Sequence, residues 1–369
     1  MNDSITPRQL TAVAFVSILS PLIRRFPRIL ARDIGRTTWL SVIFCFFICA
    51  VAAALLYLIY YKKAAPYGLR DIFAEAVGNA GSKILTVIYT LWLVFCGGFS
   101  LRAFAQRFIS TVYSGTSPAL FIVVMAIACL PVVLGTFKAL ARSAMVFRLV
   151  MAGIFILVFV LSLPSLDWRL LLPVTEADVV PNIVGGAEIA NVLGLTLFLA
   201  FAADKLEKGY KFGDWALWLF ILFACIESMC VGCLAMLGHE MTANTAYPFF
   251  VLARDITILG SLESIEAFVI GVWVLSDFVM ISAFWLVASD NLVAVFSPGS
   301  KKTAFAIIVT AAAVAVALFT GRSEADFIFF SDKFIPGVNA AVVLSLIPVG
   351  LLAVIRRRIK ARRAQPESP

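Results

Sequence analysis

Charged residues are scarce in this sequence. Only 14% of its 369 residues are Asp, Glu, Lys or Arg, while 62% are hydrophobic and 32 are Phe. An ordinary soluble domain carries about 25% charged residues and needs them to keep a polar surface. The scarcity of charge excludes disorder, a secreted disulfide scaffold and most classes of cytosolic enzyme. It predicts an all-α polytopic membrane protein.

Histidine is rarer still, because the sequence contains one, His239. A single His leaves little room for a His-based metal site or a His-dependent catalytic triad. The seven Cys lie inside apolar stretches, where Cys behaves as a small hydrophobe. No Walker A sequence, Gly-rich nucleotide turn, HExxH or GxSxG motif occurs. We therefore predict a protein that is not an enzyme and that uses no cofactor or metal.

The net charge of +8 would indicate nucleic acid in a soluble protein, but here the basic residues lie between apolar runs and set the membrane topology. With a cytoplasmic N-terminus and alternating spans, 19 of the 30 Lys and Arg residues fall on the cytoplasmic side. Five of the other 11 form one cluster that this topology explains least well: Arg24, Arg25, Arg28, Arg32 and Arg36. We predict both termini in the cytoplasm and no nucleic-acid partner.

A bilayer span takes about 20 mostly apolar residues. Ten segments meet this requirement: 8–32, 38–61, 84–112, 118–137, 141–163, 184–203, 214–237, 264–296, 303–320 and 336–355. The shorter segments 70–82 and 247–258 favour surface-lying or re-entrant helices. Residues 1–361 are predicted to form a single transmembrane domain, and residues 362–369 a disordered cytoplasmic tail.

The apolar run of the first span stops at Ser20-Pro21. Pro21 cannot donate to the helix hydrogen-bond ladder, and it disfavours a helical conformation at Ser20. We predict that a second short helix runs from about Leu22 to Asp33. The first span is thus expected to be broken near the middle of the bilayer.

The sixth span is also interrupted, at Gly194, which lies close to Asn191 and Thr196. Matched interruptions five spans apart indicate two five-helix halves in inverted repeat, about 7–163 and 184–355. In that architecture a ligand binds at the midplane, where unwound backbone and helix ends are free to contact it. Two ordinary kinks would also account for the pattern.

Carboxylates at membrane depth are costly, and they are usually functional or paired. Glu227 lies deep in the seventh span and Asp277 in the eighth. Glu266, Trp273 and Asp277 fall at helical spacing on one face of the eighth span, and we expect this face to point into the bundle. The face can serve as a ligand-facing or proton-linked stripe, or Asp277 can belong to a buried ion pair.

Arginines offer partners for such an ion pair. Arg102 or Arg148 is the expected partner, although Arg102 and Arg107 both lie near the end of the third span and are able to snorkel to the interface. Arg24 and Arg25 directly follow the predicted break of the first span. They could face a water-filled vestibule and attract an anionic group, or form the interfacial end of a broken helix.

Several motifs, taken together, are similar to those of a known family. They are Tyr-Pro-Phe-Phe at 247–250, Glu-Ser-Ile-Glu-Ala-Phe at 263–268, Trp-Val-Leu at 273–275, Pro-Arg-Gln at 7–9 and Trp-Leu-Ser at 39–41. In order and spacing they resemble the endospore germination permeases, the integral-membrane B subunits of nutrient germinant receptors. The Tyr-Pro motif followed by Glu-x-x-Glu-Ala-Phe and a Trp five residues later is the most specific part.

The resemblance implies a fold and a role. The family belongs to the amino acid–polyamine–organocation transporter superfamily, with a LeuT-like 5+5 inverted repeat and broken helices 1 and 6. It implies that the chain senses a small germinant, typically an amino acid, in the inner membrane of a spore. It also implies two protein partners, a larger A-type subunit and a lipoprotein C-type subunit.

The sequence departs from the family pattern where a ligand is expected. The usual Gly-x-Gly at the first break is Ser-Pro-Leu at 20–22, and the Gly-Phe-Glu of the sixth span is Gly-Leu-Thr at 194–196. Met280 stands where many members have Lys, with Asp277 nearby. These differences leave the class of germinant open.

The leading hypothesis is a germinant-receptor subunit that binds a small ligand between spans one, three, six and eight. The candidate ligand-binding residues are Ser20, Pro21, Leu22, Asn191, Gly194, Thr196, Trp273 and Asp277. Glu227 and Glu266 are candidate coupling or structural carboxylates. One alternative is a secondary amino acid transporter driven by H⁺ or Na⁺, with Glu227 or Asp277 as the coupling carboxylate. Another is an assembly scaffold whose pocket is degenerate.

Overall fold

The computed structural model describes residues 4–56, 68–113, 115–207, 213–256, 265–296 and 302–363. Within these residues the chain forms helices and no sheet, apart from one isolated parallel bridge between Ile5 and Leu206. Eight helical segments are long and apolar enough to cross a membrane, and two shorter apolar helices accompany them. Together they correspond in order to the ten predicted spans, which confirms the all-α polytopic fold.

The α-helices of the first half are α1 (Pro7–Arg25), α2 (Arg28–Asp33), α3 (Trp39–Leu56), α4 (Leu69–Thr111), α5 (Pro118–Leu134) and α6 (Phe137–Ser162). Those of the second half are α7 (Val179–Leu193), α8 (Gly213–Asn244), α9 (Pro248–Asp255), α10 (Ile265–Phe296), α11 (Lys302–Phe319), α12 (Glu324–Phe329) and α13 (Ile335–Arg363). The boundaries of the two repeats remain a prediction.

The break in the first span is not where the sequence placed it. α1 continues through Pro21 to Arg25, the chain leaves the helix at Phe26-Pro27, and the short helix α2 begins only at Arg28. The prediction of a short helix starting at Leu22 is therefore wrong, although its predicted end at Asp33 is confirmed. The physical reason is a hydroxyl from another span, described below.

The sixth span changes its winding at the predicted glycine. α7 ends at Leu193, and the chain continues from Gly194 to Phe201 as a 3₁₀ helix. A 3₁₀ helix is tighter and longer per residue than an α-helix and seldom runs beyond three or four residues. An eight-residue stretch of 3₁₀ helix thus marks a real interruption, as the sequence predicted.

The two shorter predicted segments contain short helices. Within 70–82, the first part of α4 is a short helix that a kink at Gly78, where φ is +83° and ψ is 172°, separates from the long part of α4. The predicted end of this segment at 82 is therefore wrong. The predicted segment 247–258 is the short helix α9, and its last two positions lie outside the described residues. The helix α13 extends to Arg363, so the predicted disordered tail does not begin at 362, and positions 364–369 lie outside the described residues.

α1 and α10 form the centre of the bundle. α1 packs against α6, α8 and α10, and α10 packs against α4. Gly97 and Gly98 of α4 permit close approach, since a Cβ on Gly97 would lie against the Trp285 indole and one on Gly98 against the Ala313 carbonyl. Small residues commonly serve this purpose where membrane helices meet.

The start of α1 and the last turns of α13 lie on one side of the bundle. The Ile5 amide donates to the Lys205 carbonyl (2.8 Å), which brings the start of α1 beside the end of the sixth span. Four ion pairs lie on this side: Arg70–Asp204 (2.9 Å), Lys205–Asp290 (3.3 Å), Lys302–Asp290 (3.2 Å) and Arg357–Glu75 (2.8 Å). We call these four pairs the terminal-side layer. Its assignment to the cytoplasm remains a prediction.

Candidate functional site

The middle of α1 is bridged by a side chain from α10. The Ser276 hydroxyl donates to the Val16 carbonyl (2.6 Å) and accepts the Ser20 N–H (2.8 Å). In a regular α-helix these two backbone groups bond to each other. The next residue, Pro21, has no N–H for the carbonyl four residues earlier. The inserted hydroxyl takes the place of the bond between these two groups, so both stay satisfied while α1 continues through the proline to Arg25.

Beside this bridge lies a buried ion pair. The Ser20 hydroxyl donates to Asp277 Oδ1 (2.5 Å), and Arg107 Nη2 donates to the same hydroxyl (2.9 Å). Arg107 Nη1 lies 3.4 Å from Asp277 Oδ2, and both side chains are only 2% exposed. Because Ser20, Arg107 and Asp277 come from α1, α4 and α10, the network joins three spans. We call these three residues the Ser20 cluster.

Aromatic side chains pack over the Ser20 cluster. The Arg107 guanidinium carbon lies 5.0 Å from the Trp273 ring centroid, a distance typical of a cation–π contact. The Trp273 ring in turn contacts Tyr247 (5.7 Å between centroids) and Phe250 (5.6 Å). Tyr247 and Phe250 belong to the Tyr-Pro-Phe-Phe motif. That motif therefore places α9 over the ion pair.

The sequence predicted the wrong arginine for this pair. Arg102 instead bonds Gln106 (3.0 Å), and Arg148 donates to the Arg8 carbonyl (3.2 Å). Arg107, expected at the interface, is 1% exposed. A signal for it does exist in the sequence.

That signal is the small and apolar composition of α4 just before Arg107. The helix is buried on every side from Cys96 to Ala105, and Arg107 follows this segment after one half-buried residue. A charged residue that continues a buried helical segment is expected to point inward and to need a partner. Arg107 was predicted at the interface because it lies near the end of its span.

Asn191 of the predicted site faces the last span. Its Nδ2 donates to the Pro336 carbonyl (2.9 Å). Asn339 donates back to the Asn191 carbonyl (2.6 Å) and to its side-chain oxygen (3.2 Å). The two amides thus tie α7 to the start of α13.

Gly194 and Thr196 also lie away from the Ser20 cluster. A Cβ on Gly194 would lie 2.7 Å from Val343 and 3.1 Å from the Asn339 amide, so the glycine permits close approach of α13. The Thr196 hydroxyl donates to the Leu193 carbonyl of its own helix (2.7 Å). The candidate residues of the sixth span therefore form a second group.

A small cavity separates the two groups, with an inner volume of about 20 Å³. This volume is close to what a single water molecule needs, so a larger ligand enters only if the walls of the cavity move apart. It lies between the end of α1, the sixth span and the start of α13, and it is lined by Pro21, Arg24, Arg25, Asn191, Val192, Leu195, Ser331, Ile335, Pro336 and Asn339. One turn of α1 thus gives Ser20 to the ion pair and Pro21 to the cavity, whereas Leu22 is fully buried in the core.

The two glutamates lie elsewhere. Glu227 is in the middle of α8, and its Oε2 is buried without a hydrogen-bond partner in the described part of the chain. Glu266 is in the first turn of α10 and is half-buried. In the regions that the structure describes, no three His, Cys, Asp or Glu side chains are placed to hold a metal ion.

Two solved transporters share this fold. One is a Na⁺-coupled sialic acid symporter in a substrate-bound, outward-open state, with 12% identity, a TM-score of 0.61, and coverage of 99% of this chain and 91% of that one. The other is MhsT in complex with L-phenylalanine, with 14% identity, a TM-score of 0.62, and coverage of 98% and 97%. The fold is therefore the LeuT-like 5+5 arrangement of a polytopic membrane protein.

The chain belongs to the spore germination protein family, whose model matches residues 4–324. This match confirms the resemblance that the Tyr-Pro and Glu-x-x-Glu-Ala-Phe motifs carry. No curated protein matches the sequence significantly. Family and fold together define an integral membrane protein for nutrient sensing or transport.

Proposed function

We propose that the chain is the membrane subunit of a nutrient germinant receptor. It senses a small ligand, an amino acid in the first instance, in the inner membrane of a spore and signals to A-type and C-type subunits. The observation that carries this proposal is the cavity between the end of α1, the interrupted sixth span and the start of α13, which Pro21 and Asn191 both line. In transporters with discontinuous membrane helices, ligands bind where a span is interrupted. Backbone groups and helix ends at such a place have no partner within the helix and can contact the ligand.

Sensing requires that the ligand prefer one conformation over another. The cavity supports such a preference because its walls belong to three separate elements, α1, the sixth span and α13. A ligand that bridges them holds α1 near α13. The Ser20 cluster then links any shift of α1 to α4 and α10, since the three spans share one ion pair.

The test is germination of spores that carry cavity variants. Val192→Phe fills the cavity and Asn191→Leu removes an amide from its wall. Val184→Leu is the matched control, because Val184 lies on the same helix and is exposed on the outer surface. The dose-response is recorded with each of the twenty amino acids, and the amount of the variant in the inner membrane is measured alongside.

We expect at least a tenfold higher half-maximal concentration for both cavity variants, with an unchanged response for Val184→Leu. A tenfold change corresponds to about 1.4 kcal/mol of ligand affinity. An unchanged dose-response for both cavity variants, at normal abundance, would contradict the site.

A second candidate function is secondary transport of an amino acid coupled to H⁺ or Na⁺. Glu227 favours it, because a buried carboxylate oxygen without a partner is a place for a proton or cation. Asp277 is less suited to coupling, since its charge already faces Arg107 and its Oδ1 accepts from Ser20. Reconstitution in proteoliposomes separates the functions: concentrative, gradient-driven uptake that Glu227→Gln abolishes would establish the transporter.

A further inference from the structure

One of the arginines that line the cavity has a guanidinium nitrogen without an acceptor among the described residues. This nitrogen is Arg24 Nη1, and it is buried. The Arg24 guanidinium lies 4.9 Å from the centroid of the Phe99 ring, and this contact holds the group against α4. Because Nη1 is buried, a ligand reaches it only when the cavity opens.

The neighbouring arginine is different. Arg25 Nη1 donates to the Ser331 carbonyl (2.6 Å). Asp332 and Glu188 also act on Arg25 electrostatically with opposite charge. Arg25 therefore has a hydrogen-bond acceptor and nearby negative charges that balance its own charge, although it lines the same cavity.

The charges around Arg24 do not balance. The nearby charged groups that act on it are Asp277, Arg107 and Arg25. Asp277 is already paired with Arg107, so one carboxylate serves two guanidinium groups. An unbalanced cation at membrane depth is costly unless an anion joins it.

We propose that Arg24 binds the carboxylate of the ligand. A carboxylate supplies the missing negative charge and accepts from Nη1, and an arginine–carboxylate hydrogen bond is among the stronger ones. Amino acids and simple monocarboxylates both carry this group. The inference rests on the proposed function only in taking the same cavity as the ligand site. Ligand binding itself is measured on the purified chain, without germination.

The experiment uses the purified full chain in nanodiscs, in a buffer free of chloride and carboxylates. The probes are the twenty amino acids, acetate, propionate, lactate and pyruvate, and each hit is compared with its uncharged amide. The measurement is the shift in unfolding temperature with ligand concentration, which reports affinity through linkage. This comparison needs no variant and does not depend on how a mutant folds.

We expect at least one carboxylate to stabilise the chain and its amide to bind at least tenfold more weakly. Arg24→Gln should abolish the discrimination between acid and amide, while Arg28→Gln should retain it. Arg28 is the matched control, because it is exposed on α2 and does not line the cavity. A hit among the amino acids alone identifies the ammonium as a second determinant, whereas a hit that includes propionate shows that the carboxylate suffices.

Three results would overturn the assignment: no stabilisation by any probe, equal binding of acid and amide, or unchanged discrimination in Arg24→Gln. The proposed function fails separately. If carboxylates bind through Arg24 but Val192→Phe spores germinate normally, the site is real and its role in germination is wrong.

Discussion

The first and sixth spans occupy matching places in the fold, yet they are interrupted in different ways. In the first, 83% of the apolar window is buried, and in the sixth only 28%. The first span depends on a neighbour, because the Ser276 hydroxyl of α10 satisfies its backbone. The sixth span changes to a 3₁₀ helix at Gly194, where the Asn339 amide of α13 donates to the Asn191 carbonyl and the Thr196 hydroxyl bonds its own helix. A side chain from another span therefore bonds the backbone in both places, but only the buried first span keeps its α-helical winding there.

The largest effect is expected at the ion pair beside the first interruption. Asp277→Ala leaves Arg107 buried without its carboxylate, which costs about 3–5 kcal/mol. The free energy of unfolding in nanodiscs, or the amount of folded protein, measures the loss. Asp290→Ala is the control, because Asp290 is a quarter exposed and its ion pairs are partly solvated.

A double variant tests whether the loss comes from the unpaired charge. Arg107→Met with Asp277→Leu removes both charges and keeps similar volume. Such replacements of buried pairs are often neutral or stabilising. Equal instability of the double and single variants would show that shape, not charge, holds the first span.

The next effect concerns the bridge in α1. Ser276→Ala removes the hydroxyl from the Val16 carbonyl and the Ser20 amide and should destabilise the chain by about 1–3 kcal/mol. Ser289→Ala is the matched control, because Ser289 is equally buried on α10 but donates to a carbonyl of its own helix (2.8 Å). If thermal unfolding shows the same small loss for both serines, α1 does not depend on α10 at this point.

Gly194 tests the other side of the comparison. Gly194→Ala forces a Cβ against Val343, and overpacking of this kind costs about 1–3 kcal/mol. Val343→Ala in the same chain should recover most of the stability, since it removes the Val343 side-chain atoms that the new Cβ would contact. Gly153→Ala is the control, because nothing lies within 4 Å of a Cβ there. No recovery in the double variant would mean that the conformation of Gly194, and not its size, is required.

The smallest effect is expected for Thr196→Val, which keeps the shape and removes one hydroxyl that bonds its own helix. The expected loss is about 1 kcal/mol or less. The germination dose-response should be unchanged, because this hydroxyl is already engaged. A large shift in the half-maximal concentration would restore Thr196 as a ligand-binding residue.

The sequence was sufficient to predict those features that the residues of a single span determine. Ten apolar segments predicted the ten spans, because the thickness of the bilayer fixes their length. Gly194 marked the sixth interruption, and Glu-x-x-Glu-Ala-Phe identified the family. These signals are local, so no knowledge of neighbours was needed.

Predictions from the sequence were wrong or missing where a residue far along the chain determines the local structure. Pro21 predicts a break, but Ser276, more than 250 residues away, supplies the hydrogen bonds that keep α1 helical. Arg107 near the end of its span suggests an interfacial position, but Asp277 draws it into the core. Likewise, nothing in the sequence around Asn191 indicates its pairing with Asn339.

The terminal-side layer makes the two faces of the molecule differ in their sensitivity to salt. Its four ion pairs include side chains that are a quarter to a third exposed, so dissolved ions screen them. On the opposite face, separate elements are joined by contacts to backbone carbonyls, such as Arg36 to Leu172 (3.0 Å) and the Asp167 amide to Ala235 (2.9 Å). Rising ionic strength therefore loosens the terminal side more than the opposite face.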